Sequence, residues 1–151
     1  MNTDTFNEMT EEIKTDEGVV NEIYLDHLGL PTVGVGHLIR EHDPENELAV
    51  GTKIDSERVH ELFEADLYTC VAETKLLYPQ FEELPAEVQK ILCNMMFNIG
   101  RPRLSRFHKM KKAVDSSDWT EAANQMLDSK WAKQVPNRAN RLIERMKNIQ
   151  T

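Results

Sequence analysis

The chain has 151 residues, of which 40% are hydrophobic and 29% charged, with a net charge of −8. That is the length of one domain with an apolar core of its own, and no run of about 18 apolar residues is available for a membrane span. The opening Met-Asn-Thr-Asp-Thr-Phe-Asn-Glu lacks the basic and apolar regions of a secretory signal, so the chain is expected to be made and held in a cytoplasm.

The charge is uneven. Residues 1–85 carry 20 acidic and 5 basic side chains, whereas residues 86–151 carry 6 and 13. Arg101, Arg103, Arg106, Lys109, Lys111 and Lys112 share one acid-free stretch. This suits either a solvated basic face or an anionic partner docking on the second half alone. No nucleic-acid motif accompanies it, and the whole chain is acidic, so nucleic acid is not expected.

Phe6, Met9 and Ile13 recur at helical spacing and predict a helix over roughly 3–16, closed by Glu17-Gly18. From Ile23 to Leu38 glycines and Pro31 punctuate β-branched runs, which suits a small twisted sheet. Residues 40–53 read as a polar loop. A helix capped by Asp55 or Ser56 runs to Leu77, with Val59, Leu62, Phe63, Leu67 and Val71 inward and Pro79 stopping it. Pro85 opens a core helix that Gly100 ends. Three shorter helices fit 104–114, 117–127 and 137–149. Trp119, Trp131 and the seven methionines read as core, and Cys70 and Cys93 as buried free thiols in preference to a disulfide.

The expected class is α+β, mainly α, with two lobes. A small antiparallel β lobe (18–54) is inserted in a helical lobe (1–17 and 55–151) within one domain, with a ligand cleft between them.

Glu17 falls at the end of the first helix, with Gly18, Ile23 and Tyr24 around it offering little polar competition. Asp26 falls at the first turn of the sheet, in a more open setting that keeps a carboxylate charged. Such a pair suits glycoside hydrolysis, in which one acid protonates the leaving oxygen and the other carboxylate stabilises or attacks the oxocarbenium-like centre. Thr32, six residues on, has a hydroxyl suited to holding a water near Asp26. His37 reads as a structural histidine paired with Asp66 in preference to a catalytic base. Tyr24 reads as a packing residue whose hydroxyl reaches the crevice.

The segment Asp16-Glu17-Gly18, Ile23-Tyr24, Asp26, Gly29 and Thr32-Val33-Gly34-Val35-Gly36-His37 resembles the signature of the phage-type lysozymes, glycoside hydrolase family 24. Further matches are Asn94-Met95-Met96-Phe97-Asn98-Ile99-Gly100, Trp119 to Ala123, and Trp131 followed by Pro136-Asn137-Arg138-Ala139. The resemblance implies a peptidoglycan hydrolase cutting between N-acetylmuramic acid and N-acetylglucosamine. Glu17 would be the proton donor, Asp26 the second carboxylate and Thr32 the water-placing residue. It also implies that Arg138 orients the glutamate and that Leu38, Phe97, Asn98, Met110 and Gln125 line the sugar cleft, the last two with side chains unlike the family's usual ones. No metal or cofactor is implied, and a monomer is expected. A cytoplasmic pool acting on the wall after release is expected, with a separate membrane pore protein as the preferred route of release. A lytic transglycosylase and a non-catalytic wall-binding or tail-assembly module remain as other readings. Two departures are visible: a short loop after Leu38, and no aromatic tail after the last helix.

Overall fold

In the computed structural model, which describes residues 1–150, helix α1 spans Thr3–Glu17 and stops where glycine follows. Asn2 Oδ1 accepts the Thr5 N–H at 2.8 Å and caps the first turn. Gly18, at φ +77°, turns left-handed while its N–H reaches back to Lys14 O at 2.9 Å. Three short strands follow: β1 (Val20–Leu25), β2 (Pro31–Gly34) and β3 (His37–Leu38). They form an antiparallel sheet in the order β1-β2-β3, with Tyr24 opposite Thr32, Thr32 opposite Leu38 and Val33 opposite His37. The class is α+β and mainly α, as the sequence predicts.

Helix α2 runs Ser56–Leu77, the expected bounds. Then come α3 (Ala86–Leu104), α4 (His108–Asp115), α5 (Trp119–Leu127), α6 (Lys130–Gln134) and α7 (Pro136–Lys147). Four details differ from expectation, the first being that α4 starts at His108 and not at 104, because Leu104 still belongs to α3. Helix α3 does not end at Gly100 but kinks there, at φ 80° and ψ 164°, and continues for one more turn through Pro102. That works because proline sits at the start of the new turn, where its missing N–H costs no bond. Helix α6 was not expected. Its five residues carry no readable period, but Ser129 Oγ caps it by accepting from the Ala132 N–H at 3.2 Å. The loop over 40–53 contains a short 3-10 turn at Pro44–Glu47.

The chain gathers into two compact units. One is residues 10–69, and the other is residues 1–9 with the described residues from Cys70 onward. In the first, Ile23, Val33, Ile39, Val59 and Leu62 form one buried cluster, with Ile54 packed against it. Gly34 lies so close that a Cβ there would stand 2.9 Å from Val59 Cγ1. Two ionic ties hold the loop of this unit. The Arg58 guanidinium donates to Glu45 Oε1 at 2.8 Å, and His37 is bracketed by two aspartates.

The second unit is an apolar bundle in which α5 packs on α4 and α7, and α7 packs also on α3 and α6. Ile91, Leu92, Met95, Met110, Met126, Trp131 and Leu142 are all at most 1% exposed. Cys70 and Cys93 are buried free thiols, and the Cys70 thiol donates to Cys93 O at 3.3 Å. No described helix is long and apolar enough to cross a membrane.

Candidate active site

Glu17, Asp26 and Thr32 all belong to the unit of residues 10–69. Glu17 is the last residue of α1 and half-buried. The turn joining β2 to β3 comes up against its carboxylate, since a Cβ on Gly36 would lie 3.7 Å from Glu17 Oε1. Gly36 has φ +65°, a left-handed conformation that a side chain would strain.

Asp26 opens the turn between β1 and β2 and is fixed by that turn. Its Oδ1 accepts the Leu28 N–H at 2.8 Å and the Leu30 N–H at 2.9 Å. The backbone closes the same loop: Asp26 N–H donates to Leu30 O, and Gly29 N–H to Asp26 O, both at 2.9 Å. Gly29 supplies the positive φ, +79°, that the turn requires. The Leu30 amide above all holds the Asp26 carboxyl below the usual carboxylate range. Partial burial opposes this, and the Leu28 amide and the His27 charge add to it. Asp26 is therefore a charged group of fixed orientation, as its open setting at the turn predicts.

Thr32 is buried at 4% exposure, directly across from Tyr24. Its hydroxyl donates to Leu30 O at 3.0 Å, so what remains at Oγ1 is acceptor capacity. Tyr24, Thr32 and Leu38 occupy paired positions across the three strands and so face the same side. The Tyr24 phenol titrates above its ordinary value, first because burial disfavours the phenolate, then because the Asp26 and Glu17 charges oppose it. One side chain thus stands within the fields of both carboxylates.

His37 is 8% exposed. Its Nδ1 pairs with Asp66 Oδ2 at 2.7 Å, the expected partner, and its Nε2 with Asp43 Oδ2 at 2.8 Å. The Asp66 bond raises the imidazole pKa most, burial works against it, and Asp43 raises it further. Asp43 was missed in the sequence. Its only signal was a position six residues downstream in a loop, where period gives no guidance.

The remaining expected site residues lie in the other unit. Arg138, on α7, is buried, and its Nε donates to Asn94 Oδ1 at 2.7 Å. Phe97 and Asn98 are half-buried on α3, where Asn98 Oδ1 accepts the Trp131 indole N–H at 2.8 Å. Met110 and Gln125 line one groove of about 410 Å³, with Trp131, Phe107, Arg103 and Arg106 also at its walls. Met110 floors this groove while itself enclosed, at 0% exposure. Among the described residues, no three His, Cys, Asp or Glu side chains gather as a metal site needs.

Residues 14–148 match the family model described as phage lysozyme. The chain is 31% identical over 150 residues to a protein named probable T4-type lysozyme 2, from Dictyostelium discoideum, covering 87% of this chain and 88% of that one. It is 30% identical to the pre-baseplate central spike protein Gp5 of Enterobacteria phage T4, over 89% of this chain and 26% of that protein. It is also 30% identical to the endolysin of Salmonella phage P22, over 59% of this chain and 58% of that one.

Proposed function

The chain belongs to the phage lysozyme family, and from that premise we propose that it hydrolyses the β-1,4 bond between N-acetylmuramic acid and N-acetylglucosamine in bacterial walls. Membership supports, at family level, a peptidoglycan-hydrolysing lysozyme and hence a glycosidase. The finer reading rests on one arrangement: Tyr24 pairs with Thr32 across the ladder, Asp26 follows the end of β1, and the β2–β3 turn at Gly36 abuts the Glu17 carboxylate, so the two acids serve one locality of the sheet unit.

The chemistry divides between them. Glu17 gives its proton to the leaving glycosidic oxygen, and Asp26, held charged by its turn, stabilises positive charge at the anomeric carbon. Thr32 Oγ1 and Asp26 are both left with acceptor capacity. A water that donates one hydrogen to each turns its lone pair outward, towards the sugar. That arrangement favours direct attack by water and inversion of configuration. Glycan contacts by Leu38, Phe97, Asn98, Met110 and Gln125, and a supporting role for Arg138, are part of the proposal. So are action as a monomer, and host lysis after release from the cytoplasm through a separate pore protein. The spike-protein relative favours a second setting for the same chemistry, local wall opening during phage entry.

Turbidity clearing of purified walls tests the core of this reading. Wild type should clear them, and Glu17→Gln should be slower by on the order of 10²–10⁴-fold. Equal rates, or no clearing by either, would remove the hydrolase assignment. Mass spectrometry of the fragments should find reducing ends; anhydro ends would identify a transglycosylase instead. Proton NMR of the first-formed anomer decides between inversion and retention.

A further inference from the structure

Tyr24 is half-buried on β1, yet its hydroxyl has no hydrogen-bond partner among the described residues. The hydroxyl is not among the side-chain atoms shut away from solvent, so it reaches water and is free to donate to a ligand that displaces that water. We propose that Tyr24 is a substrate-contacting residue, its hydroxyl donating a hydrogen bond to the glycan strand beside Asp26 and Glu17. This rests on the hydrolase reading above and adds a residue to it.

The strand register carries the geometry. Tyr24 sits opposite Thr32 across the β1–β2 ladder, on the same face, where paired Cβ atoms are roughly 4.5–5.5 Å apart. Asp26 follows two residues later, so the strand and the tight turn beyond it keep the two side chains neighbours. Thr32 Oγ1 spends its hydrogen on Leu30 O, and Asp26 is acceptor-only when charged. The glycan is itself rich in acceptors, the N-acetyl carbonyl being the strongest that a wall sugar offers. Neither Asp26 nor Thr32 can donate to it, whereas the phenol O–H can. Burial first, and then the Asp26 charge, hold that phenol above its ordinary titration range, so the donor persists across the working pH range. A residue kept only for packing would use its ring and would be replaced by phenylalanine without effect.

The test is binding of a wall tetrasaccharide of alternating N-acetylglucosamine and N-acetylmuramic acid, measured calorimetrically. The proteins are Glu17→Gln and Glu17→Gln/Tyr24→Phe, full-length and with melting temperatures recorded. Loss of one hydrogen bond should weaken the second protein by roughly fivefold to tenfold. In a companion measurement on ¹³C-tyrosine protein, one of only three tyrosine signals, that of Tyr24, should move as the tetrasaccharide is added. Equal affinities with equal melting temperatures, or binding that leaves the Tyr24 signal in place, overturn the proposal. Wall clearing by wild type alongside those results removes the Tyr24 role alone. No clearing and no binding remove the underlying reading together with it.

Discussion

The unit of residues 10–69 and the helical unit from Cys70 onward combine apolar burial and paired charge in different proportions. In the helical unit Ile91, Leu92, Met95, Met110, Met126, Trp131 and Leu142, among others, are at most 1% exposed and fill the interior from five helices. The sheet unit has three strands of 6, 4 and 2 residues and one buried cluster centred on five aliphatic side chains. Both units carry ion pairs, but those of the sheet unit, Arg58 with Glu45 and His37 with Asp43 and Asp66, each include a buried partner, whereas Lys75–Glu82 and Lys111–Asp115 of the helical unit are exposed. Apolar burial is insensitive to pH and nearly so to salt, whereas paired charges respond to both. The three residues expected to carry the reaction sit in the unit whose ion pairs are the more buried. A short sheet of tight turns can fix a carboxylate to within a hydrogen bond.

Four substitutions sharpen or break this contrast. The largest effect should come from Leu92→Ala, at a position 0% exposed, which should cost about 2–5 kcal/mol by thermal melting and cost it equally at every pH. A pH-dependent loss there would blur the distinction. Gly34→Ala places a methyl 2.9 Å from Val59 Cγ1 on a residue with φ +72°. It should cost about 1–3 kcal/mol and lower activity in step, because β2 carries Thr32.

His37→Asn separates the units by pH. The folded-state pKa of His37 lies above its ordinary 6.5, so its stabilisation is complete below about that value and is lost as pH rises through the folded value. Wild type should therefore lose more stability than His37→Asn between about pH 6 and pH 9. Parallel melting curves would show that the bracket of aspartates contributes nothing. The smallest effect belongs to the exposed surface. Replacing Arg101, Arg103 and Arg106 with serine should weaken wall binding at low salt and leave it unchanged at high salt, read by co-sedimentation. Unaltered binding at low salt would reduce the stretch to a solvated face.

What the sequence disclosed follows the range of the interactions involved. The bounds of α2 and the stop at Glu17-Gly18 were legible because caps, glycines and period act within one or two turns. The fixed orientation of Asp26 follows from residues within four positions of it, the same local chemistry. The Arg58–Glu45 pair spans 13 residues through an irregular loop, and Asp43 reaches His37 from such a loop, so neither left a pattern to read. Helix α6 is only five residues long and too short to show a period. Tyr24 was read as packing because its hydroxyl's lack of a partner becomes visible only once the strands are paired.

The turn at Asp26 has one more consequence. One oxygen of this side chain is bound by two backbone amides, which leaves the acceptor capacity of the other for a ligand. Asparagine would preserve the first oxygen and remove the negative charge, while glutamate would keep the charge but push the carboxylate one methylene past the position that the two amides now hold. Scaffold and reagent are thus built from the two halves of a single functional group, and each can be exchanged without the other.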